Sequence, residues 1–177
     1  RYHRERTNSG NQTGSEVSYS ELGGSLGISK DTVIRYVDLL EKAFILFRVQ
    51  GFSSNLRNEI TKKEKIYFYD TGLRNAVIDN FKPLSLRDDT GRLWENFLMA
   101  ERRKLHYNRR ERVDMRFWRT HSGSEIDLIE ESEGMVKAWE IKSGQKNARV
   151  PPAWATAYPE TPFQVVNERN WLPFLGA

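Results

Sequence analysis

The first half of the chain places apolar residues at helical spacing, with serine and glycine between the groups. Ser20 is suited to cap a short helix that carries Leu22, and Gly27 is suited to end it. Ser29 then caps a second helix. The apolar positions of this second helix share one face, which we predict to be buried: Val33, Val37, Leu40 and Phe44. Two helices joined by a glycine-containing turn predict a helix-turn-helix.

Two β-rich runs follow the helix pair, at 45–49 and 65–69, with a polar segment between them. These runs are predicted to pair as the wing of a winged helix-turn-helix. Asp70 follows the second run. We favour Asp70 as the cap of a helix that begins near Leu73 over a catalytic role.

The second half of the chain continues with a longer helical pattern. Apolar residues recur at helical spacing from Gly91 to Leu105, after Asp89 or Thr90 as the N-cap. Three strand-like runs follow, with glycine-containing turns between them: 115–120, 125–130 and 136–143. They predict an antiparallel meander, after which PPAWATAYPE predicts a short helix and PFQVVN another strand. We therefore predict an α/β (α+β) fold, with an N-terminal winged helix-turn-helix followed by a mixed sheet flanked by helices.

Length and composition fit this arrangement. The 177 residues, 38% of them hydrophobic, are enough for one large core or two small ones. We predict a polar leader over 1–17, the winged helix-turn-helix over 18–88 and the second domain over 89–177. The chain has no cysteine, which excludes disulfides and thiolate zinc sites. Without a signal peptide or an apolar run of membrane length, a cytoplasmic protein with no membrane partner is expected.

The net charge of +4 says little about partners, but basic residues cluster locally. The candidate phosphate contacts in this cluster are Arg102, Arg103, Arg109, Arg110 and Arg119. A solvated helix end is the alternative interpretation of the same residues. Lys30 and Arg35 are further candidates, on the second predicted helix. That helix carries a balanced mixture of charges, so packing or docking of a protein partner is favoured over DNA recognition.

Charged residues interrupt two neighbouring apolar strands of the predicted meander. Glu140 and Lys142 are two positions apart and share a face of the third strand, while Asp127 lies in the middle of the second. Two carboxylates that approach each other tend to take up protons unless a cation lies between them. Mg²⁺ or Mn²⁺ is the expected cation. Partly exposed ion pairs at a sheet edge are the alternative.

The chemistry that fits these residues is metal-assisted phosphodiester hydrolysis. Asp127 and Glu140 would hold the metal, which lowers the pKa of its bound water. Lys142 would orient that water or neutralise charge in the transition state. Glu95 borders the buried stripe of the preceding helix and would complete the metal shell.

The pattern resembles the PD-(D/E)xK superfamily, which has the restriction-endonuclease-like fold. That family places an acid on the second strand of the meander and (D/E)-x-K on the third. Asp127 corresponds to the first acid, Glu140 and Lys142 to the last two motif positions, and Glu95 to the frequent acid on the helix. Ile126 stands where the family motif has proline.

The whole chain is similar to a narrower family, the C-terminal part of uncharacterised prokaryotic AAA-type ATPases. The matching segments are YSELGGSLGISKDTVIRYVDLLEKAFI, KIYFYDTGLRNAV, GRLWENFLMAE, GSEIDLI and AWEIKSG. The resemblance implies an ATPase domain on the N-terminal side as a partner in the full-length chain. No G-x-x-x-x-G-K-[ST] motif occurs here, so no nucleotide is expected to bind this fragment. A Mg²⁺-dependent nuclease-like domain is the leading hypothesis, and a non-catalytic docking or regulatory module of the ATPase is the rival.

Overall fold

The structure is a computed structural model that describes residue 14 and residues 16–53 and 63–176. Most of the predicted leader and the polar segment at 54–62 lie outside these residues. The strands of the described part are β1 (Glu16–Val17), β2 (Leu46–Gly51), β3 (Glu64–Phe68), β4 (Asp114–Arg119), β5 (Glu125–Ser132), β6 (Met135–Ile141) and β7 (Phe163–Val166). Its α-helices are α1 (Tyr19–Leu26), α2 (Lys30–Lys42), α3 (Thr71–Val77), α4 (Thr90–Arg109), α5 (Pro152–Ala157) and α6 (Trp171–Phe174).

The ends of the first three helices follow from local capping. Ser29 Oγ accepts the backbone N–H of Thr32 and caps α2, and Asp70 Oδ1 accepts that of Leu73 and caps α3, as predicted. Gly27 ends α1 in the left-handed conformation, with φ of 67°. The predicted cap of α1 was wrong. Ser18, not Ser20, accepts the N–H of Glu21, because the helix begins at Tyr19.

Replacing Ser18 with alanine is therefore expected to lower the free energy of unfolding by about 1 kcal/mol, because one backbone N–H of α1 loses its acceptor. Ser20→Ala is the matched control and is expected to change stability by less than about 0.5 kcal/mol, since Ser20 is exposed within the helix. Urea denaturation of the two variants measures both quantities. A larger loss in Ser20→Ala than in Ser18→Ala would contradict the assignment of the cap.

The predicted buried face of α2 is only half correct. Val33 and Val37 are buried, but Leu40 is 37% exposed and Phe44 is 67% exposed. The helix ends at Lys42, and Phe44 adopts a left-handed conformation with φ of 56°. Phe44 therefore lies beyond the end of the helix and does not continue its buried face.

All seven described strands form one mixed sheet in the order β1-β3-β2-β4-β5-β6-β7. The strands β4, β5 and β6 form the predicted antiparallel meander, and β7 pairs parallel to β6. Helices cover both faces of the sheet, which confirms the predicted fold class: α4 packs on one apolar cluster and α5 on the other. Among the described helices, none has the length and apolar character needed to cross a membrane.

The hairpin predicted as a wing lies inside this sheet. Strands β2 and β3 pair antiparallel, and β2 also pairs parallel to β4 through Gln50 and Gly51. Phe47, Val49 and Tyr67 are fully buried. Since their apolar side chains pack under α4, the hairpin is part of the core and does not project as a wing. The boundary between the two predicted domains stays a prediction, while the sheet runs across it.

Strand β5 contains a bulge at the position of the predicted acid. Arg116 of β4 pairs with Ile129, and Trp118 pairs with Ile126, so two steps along β4 match three along β5. As a result, Ile126 and Leu128 lie in different apolar clusters although they are two positions apart. A bulge re-aims the side chains of its strand, and Asp127 is within this one.

The start of α4 is fixed by a buried charge cluster. Asp89 is its N-cap residue, but the carboxylate does not cap the helix and instead accepts hydrogen bonds from Arg74 and Arg87 at 2.7–2.8 Å. The hydrogen bonds from Arg87 are the main reason that the pKa of Asp89 falls to about 2. This arrangement holds the beginning of α4, which carries Glu95 in its second turn, against α3.

Candidate functional site

The structure brings together the four residues predicted to form an acidic site. Asp127 comes from the bulge in β5, Glu140 from the end of β6, Lys142 from the residue after that strand, and Glu95 from the second turn of α4. The charge on Asp127 acts on the pKa of each of the other three groups, so they share one electrostatic environment.

Asp127 is held by the neighbouring strand. Its Oδ2 accepts a 2.8 Å hydrogen bond from the backbone N–H of Ile141, near the end of β6. The side chain is 13% exposed. Burial raises the pKa of Asp127, although Lys65 and the Ile141 N–H oppose the rise. The carboxylate is therefore fixed in place, and its partners do not fully offset the free-energy cost of removing its charge from water.

Glu140 and Lys142 form an ion pair in which Lys142 Nζ contacts Oε1 of Glu140. Oε2 of Glu140 is buried and has no hydrogen-bond partner among the described residues. Burial, and then the charge of Asp127, raises the pKa of Glu140. Lys142 is 34% exposed, so its ammonium group can be reached from solvent. The pair leaves one carboxylate oxygen available to a further cation or proton.

Glu95 is placed by the residue that follows it. Asn96 is buried and exchanges two hydrogen bonds with the backbone of Phe68, at 2.8 and 2.9 Å, which joins α4 to β3. Glu95 Oε1 then accepts a 2.7 Å hydrogen bond from the hydroxyl of Tyr67. Burial is the main cause that raises the pKa of Glu95 to about 7, with Lys65 opposing it.

Lys65 on β3 is the principal residue that sequence reasoning missed. Its side chain is 2% exposed, and its Nζ contacts Glu125 and lies 3.7 Å from Glu95 Oε1 and 3.9 Å from Asp127 Oδ1. Burial alone would lower the pKa of Lys65, but the three carboxylates raise it above the ordinary value. Lys65 is therefore a buried, charged ammonium group inside the acidic cluster.

Tyr67 and Glu125 were also missed. Tyr67 is fully buried, and burial raises the pKa of its hydroxyl well above the ordinary value, so it stays a hydrogen-bond donor to Glu95. One signal was present in the sequence: Lys65 and Tyr67 are two positions apart in a predicted strand and so share a face. Their meeting with Glu125 depends on pairing between segments far apart in the chain.

The cluster carries more negative than positive charge when its acids are ionised. Its four carboxylates are Glu95, Glu125, Asp127 and Glu140, and its two ammonium groups are Lys65 and Lys142. Four minus two leaves an excess of two negative charges. Arg119 lies 3.2 Å from Glu16 and 3.8 Å from Glu125, and Glu16 also contacts Lys63. These three residues add two positive charges and one negative charge, so the wider network keeps an excess of one negative charge. An unbalanced set of buried acids takes up protons or binds a cation.

Asp127 and Glu140 are the two carboxylates that would hold a divalent cation. Mg²⁺ typically keeps several waters and binds through one or two carboxylates, and Glu140 Oε2 with Asp127 supplies that number. In the described part of the chain, no three acidic or histidine side chains are arranged to hold a metal ion. Glu95, the predicted third ligand, instead faces Tyr67 and Lys65.

The predicted phosphate contacts are in different environments. Arg102 is 13% exposed, with two hydrogen bonds to Glu130 and one to the carbonyl of Phe174. Arg103 donates to the hydroxyl of Tyr69 and lies over the ring of Phe47. Arg119 pairs with Glu16 and Glu125. The remaining candidates are exposed: Lys30, Arg35, Arg109 and Arg110.

Comparison with known proteins shows similarity to longer chains of unassigned function. Uncharacterised proteins of Mycobacterium bovis and Mycobacterium tuberculosis are each 30% identical over 131 residues, which is 73% of this chain and 29% of theirs. An uncharacterised protein of Methanocaldococcus jannaschii is 34% identical over 67 residues, 38% of this chain and 14% of its own. The chain thus spans less than a third of the length of these relatives. No solved structure matches it significantly.

Two families match adjacent parts of the chain. Residues 7–84 match the family described as Domain of unknown function (DUF8612). Residues 90–166 match the family described as Domain of unknown function (DUF4143), and this match includes Glu95, Asp127 and Glu140. The chain is therefore similar, over most of its length, to two domains of unknown function that follow one another in the sequence.

Proposed function

We propose that this chain belongs to a larger ATPase-associated protein and that its sheet carries a Mg²⁺-dependent site for phosphodiester hydrolysis. The observation that carries the proposal is the excess of acids over cations in the cluster, around a buried Oε2 of Glu140 that has no hydrogen-bond partner among the described residues. A divalent cation would neutralise that excess. Enzymes that hold such a cation with carboxylates commonly act on phosphate groups.

Asp127 and Glu140 would hold the cation, and Lys142 would act on the substrate. When bound, the cation polarises a phosphate oxygen and lowers the pKa of a bound water. The backbone N–H of Ile141 keeps Asp127 at its position. Lys142 donates to Glu140 and keeps further N–H groups for a phosphate oxygen, where it would stabilise the charge that develops during attack.

The ATPase context is supported by the resemblance of the chain to C-terminal parts of AAA-type ATPases and by its similarity to DUF4143 over 90–166. The mycobacterial relatives are more than three times as long as the matched region, which leaves room for another domain. In this proposal the ATPase domain of the longer protein controls access of nucleic acid to the site.

Incubation of the protein with single-stranded and double-stranded DNA and RNA tests the proposed activity. Cleavage is expected in Mg²⁺ or Mn²⁺ and not in chelator. Asp127→Asn, Glu140→Gln and Lys142→Ala are each expected to reduce it by about 100-fold or more. Asp114→Asn is the matched control, because Asp114 is an exposed acid at the start of β4 that pairs with Arg116.

Two results would count against hydrolysis at this site. One is the absence of cleavage of every substrate, in this chain and in a full-length protein with its ATPase domain. The other is cleavage that persists unchanged in Asp127→Asn and Lys142→Ala, since that activity would come from a contaminant or from elsewhere in the molecule.

A second function, docking of a protein partner without catalysis, is favoured by the surface of α2. Tyr36 and Leu39 are each 60% exposed, and Phe44, just after the helix, is 67% exposed. Exposed apolar side chains of this kind suit a protein contact better than a phosphate backbone. Titration with Mn²⁺ separates the two functions: binding that Glu140→Gln abolishes would argue against a purely structural remnant.

A further inference from the structure

Lys65 places its ammonium group among three of the four carboxylates of the acidic cluster. Its ammonium group contacts Glu125 and lies within 3.9 Å of the carboxylates of Glu95 and Asp127. These acids come from α4 and from two positions of β5, so the ammonium group joins the helix to the sheet. Asp127 belongs both to this group of acids and to the proposed metal site.

Lys65 is held so that it cannot readily leave the cluster. Strand β3 pairs with β1 on one side and β2 on the other, where Lys65 is opposite Glu16 and Val49. Its side chain is 2% exposed, and its Nζ lies 5.3 Å from the ring centroid of Phe117. The ammonium group is therefore a permanent part of the site and not a surface charge that exchanges with solvent.

Sites that cleave phosphodiesters commonly hold two divalent ions about 4 Å apart, bridged by a shared carboxylate. Asp127 is placed to be such a carboxylate, between the Glu140 side of the cluster and the Glu95 and Glu125 side. On the second side, Lys65 supplies positive charge, as a second ion would. Unlike an ion, it also supplies hydrogen-bond donors.

We propose that the Lys65 ammonium takes the place of a second divalent ion, so that the site binds a single divalent cation at Asp127 and Glu140. This inference rests on the proposed function, because it concerns the same site. It assigns Lys65 as a positioning residue that limits the metal content of the site and keeps Glu95 and Glu125 from binding metal.

Counting bound Mn²⁺ tests the inference without reference to activity. Electron paramagnetic resonance of free Mn²⁺, with calorimetric titration, is expected to show one ion per 177-residue chain. Lys65→Ala removes the ammonium group from among the three carboxylates, and this variant is expected to bind two ions. Lys65→Arg keeps a cation in the cluster, and is the matched control expected to bind one.

The outcomes separate this inference from the proposed function. Two ions in the unaltered chain, or one ion in both the unaltered chain and Lys65→Ala, would overturn the role of Lys65 and leave a metal-dependent activity standing. No ion in the unaltered chain but one in Lys65→Ala would support the role of Lys65 and overturn the proposed function. No ion in either protein would overturn both.

A second variant decides the matter if Lys65→Ala fails to fold. Glu125→Gln keeps Lys65 and removes an acid that contacts it. If Glu125 is not a metal ligand, the affinity for the single Mn²⁺ should change by less than about three-fold. A loss of about ten-fold or more is the behaviour of a metal ligand or of a group that orients one, and it would overturn the inference.

Discussion

Glu130→Gln is expected to lower the free energy of unfolding by about 3 kcal/mol at pH 7, the largest effect we expect from a single substitution outside the acidic cluster. Glu130 is 5% exposed and accepts hydrogen bonds from Arg102, His106 and Trp139 at 2.6–3.0 Å. The amide of glutamine would leave the largely buried guanidinium of Arg102 without its counter-charge. The loss of an ionic partner in a buried pair typically has this magnitude.

The effect of Glu130→Gln should depend on pH. Burial alone would raise the pKa of Glu130, but the hydrogen bonds from Arg102 and His106 outweigh it and lower the pKa to about 2 from the ordinary value of 4.5. The stabilisation is therefore fully present above pH 4.5 and is lost as the pH falls towards 2. The difference between the two proteins should shrink over that interval.

Chemical denaturation at several pH values measures this difference. Glu131→Gln is the matched control, since Glu131 is the next residue of β5 and is exposed, and it should change stability by less than about 0.5 kcal/mol. A difference for Glu130→Gln that stays constant from pH 7 to pH 3 would show that its charge does not stabilise the fold.

Glu95→Gln is expected to raise stability by about 3 kcal/mol at pH 8 in the presence of chelator. Burial is the main cause that raises the pKa of Glu95 to about 7 from 4.5, so the unfolded chain loses this proton before the folded chain does. The unaltered protein thus loses stability as the pH rises from 4.5 to 7, and the cost remains above pH 7. Glutamine carries no such cost and still accepts the hydrogen bond from Tyr67.

Unfolding free energies at pH 5 and pH 8 test this expectation. At pH 5 the advantage of Glu95→Gln should fall below about 1 kcal/mol, because the folded protein then keeps Glu95 protonated. Glu101→Gln, on the same helix but partly exposed and paired with Lys104, should have little effect at either pH. If Glu95→Gln were destabilising at pH 8, the attraction of Glu95 to Lys65 would be stronger than the cost of burying its charge.

Local patterns predicted most of the secondary structure. Ser29 and Asp70 cap the helices that follow them, and Gly27 ends α1. Two of the errors occurred at the ends of helices, where Ser18 and not Ser20 caps α1 and where α2 ends before Phe44. Phe44 continues the apolar spacing of α2, yet the helix ends at Lys42 and Phe44 adopts a left-handed backbone conformation. Asp89 is the N-cap residue of α4, as predicted, but its carboxylate accepts hydrogen bonds from two arginines and not from the helix backbone.

The candidate site was predictable in part. Alternation along a strand placed Glu140 and Lys142 on one face, and the structure pairs them. The approach of Asp127 to this pair followed from the order of the meander. The bulge that re-aims Asp127 was not predictable, since a change of register depends on the strand opposite. The roles of Asp127, Glu140, Lys142 and Glu95 in catalysis stay predictions.

The sequence by itself determined the order of the predicted elements from α1 to β7, the antiparallel meander and the acids that it presents. The reason is that capping and short turns involve only near neighbours in the chain, and periodicity shows which residues share a face. Only the tertiary structure decided that the hairpin of β2 and β3 joins the same sheet and carries Lys65 into the acidic cluster. The physical reason is that β2 pairs with β4 far along the chain, and no local pattern specifies which distant strand supplies a cation to a buried group of acids.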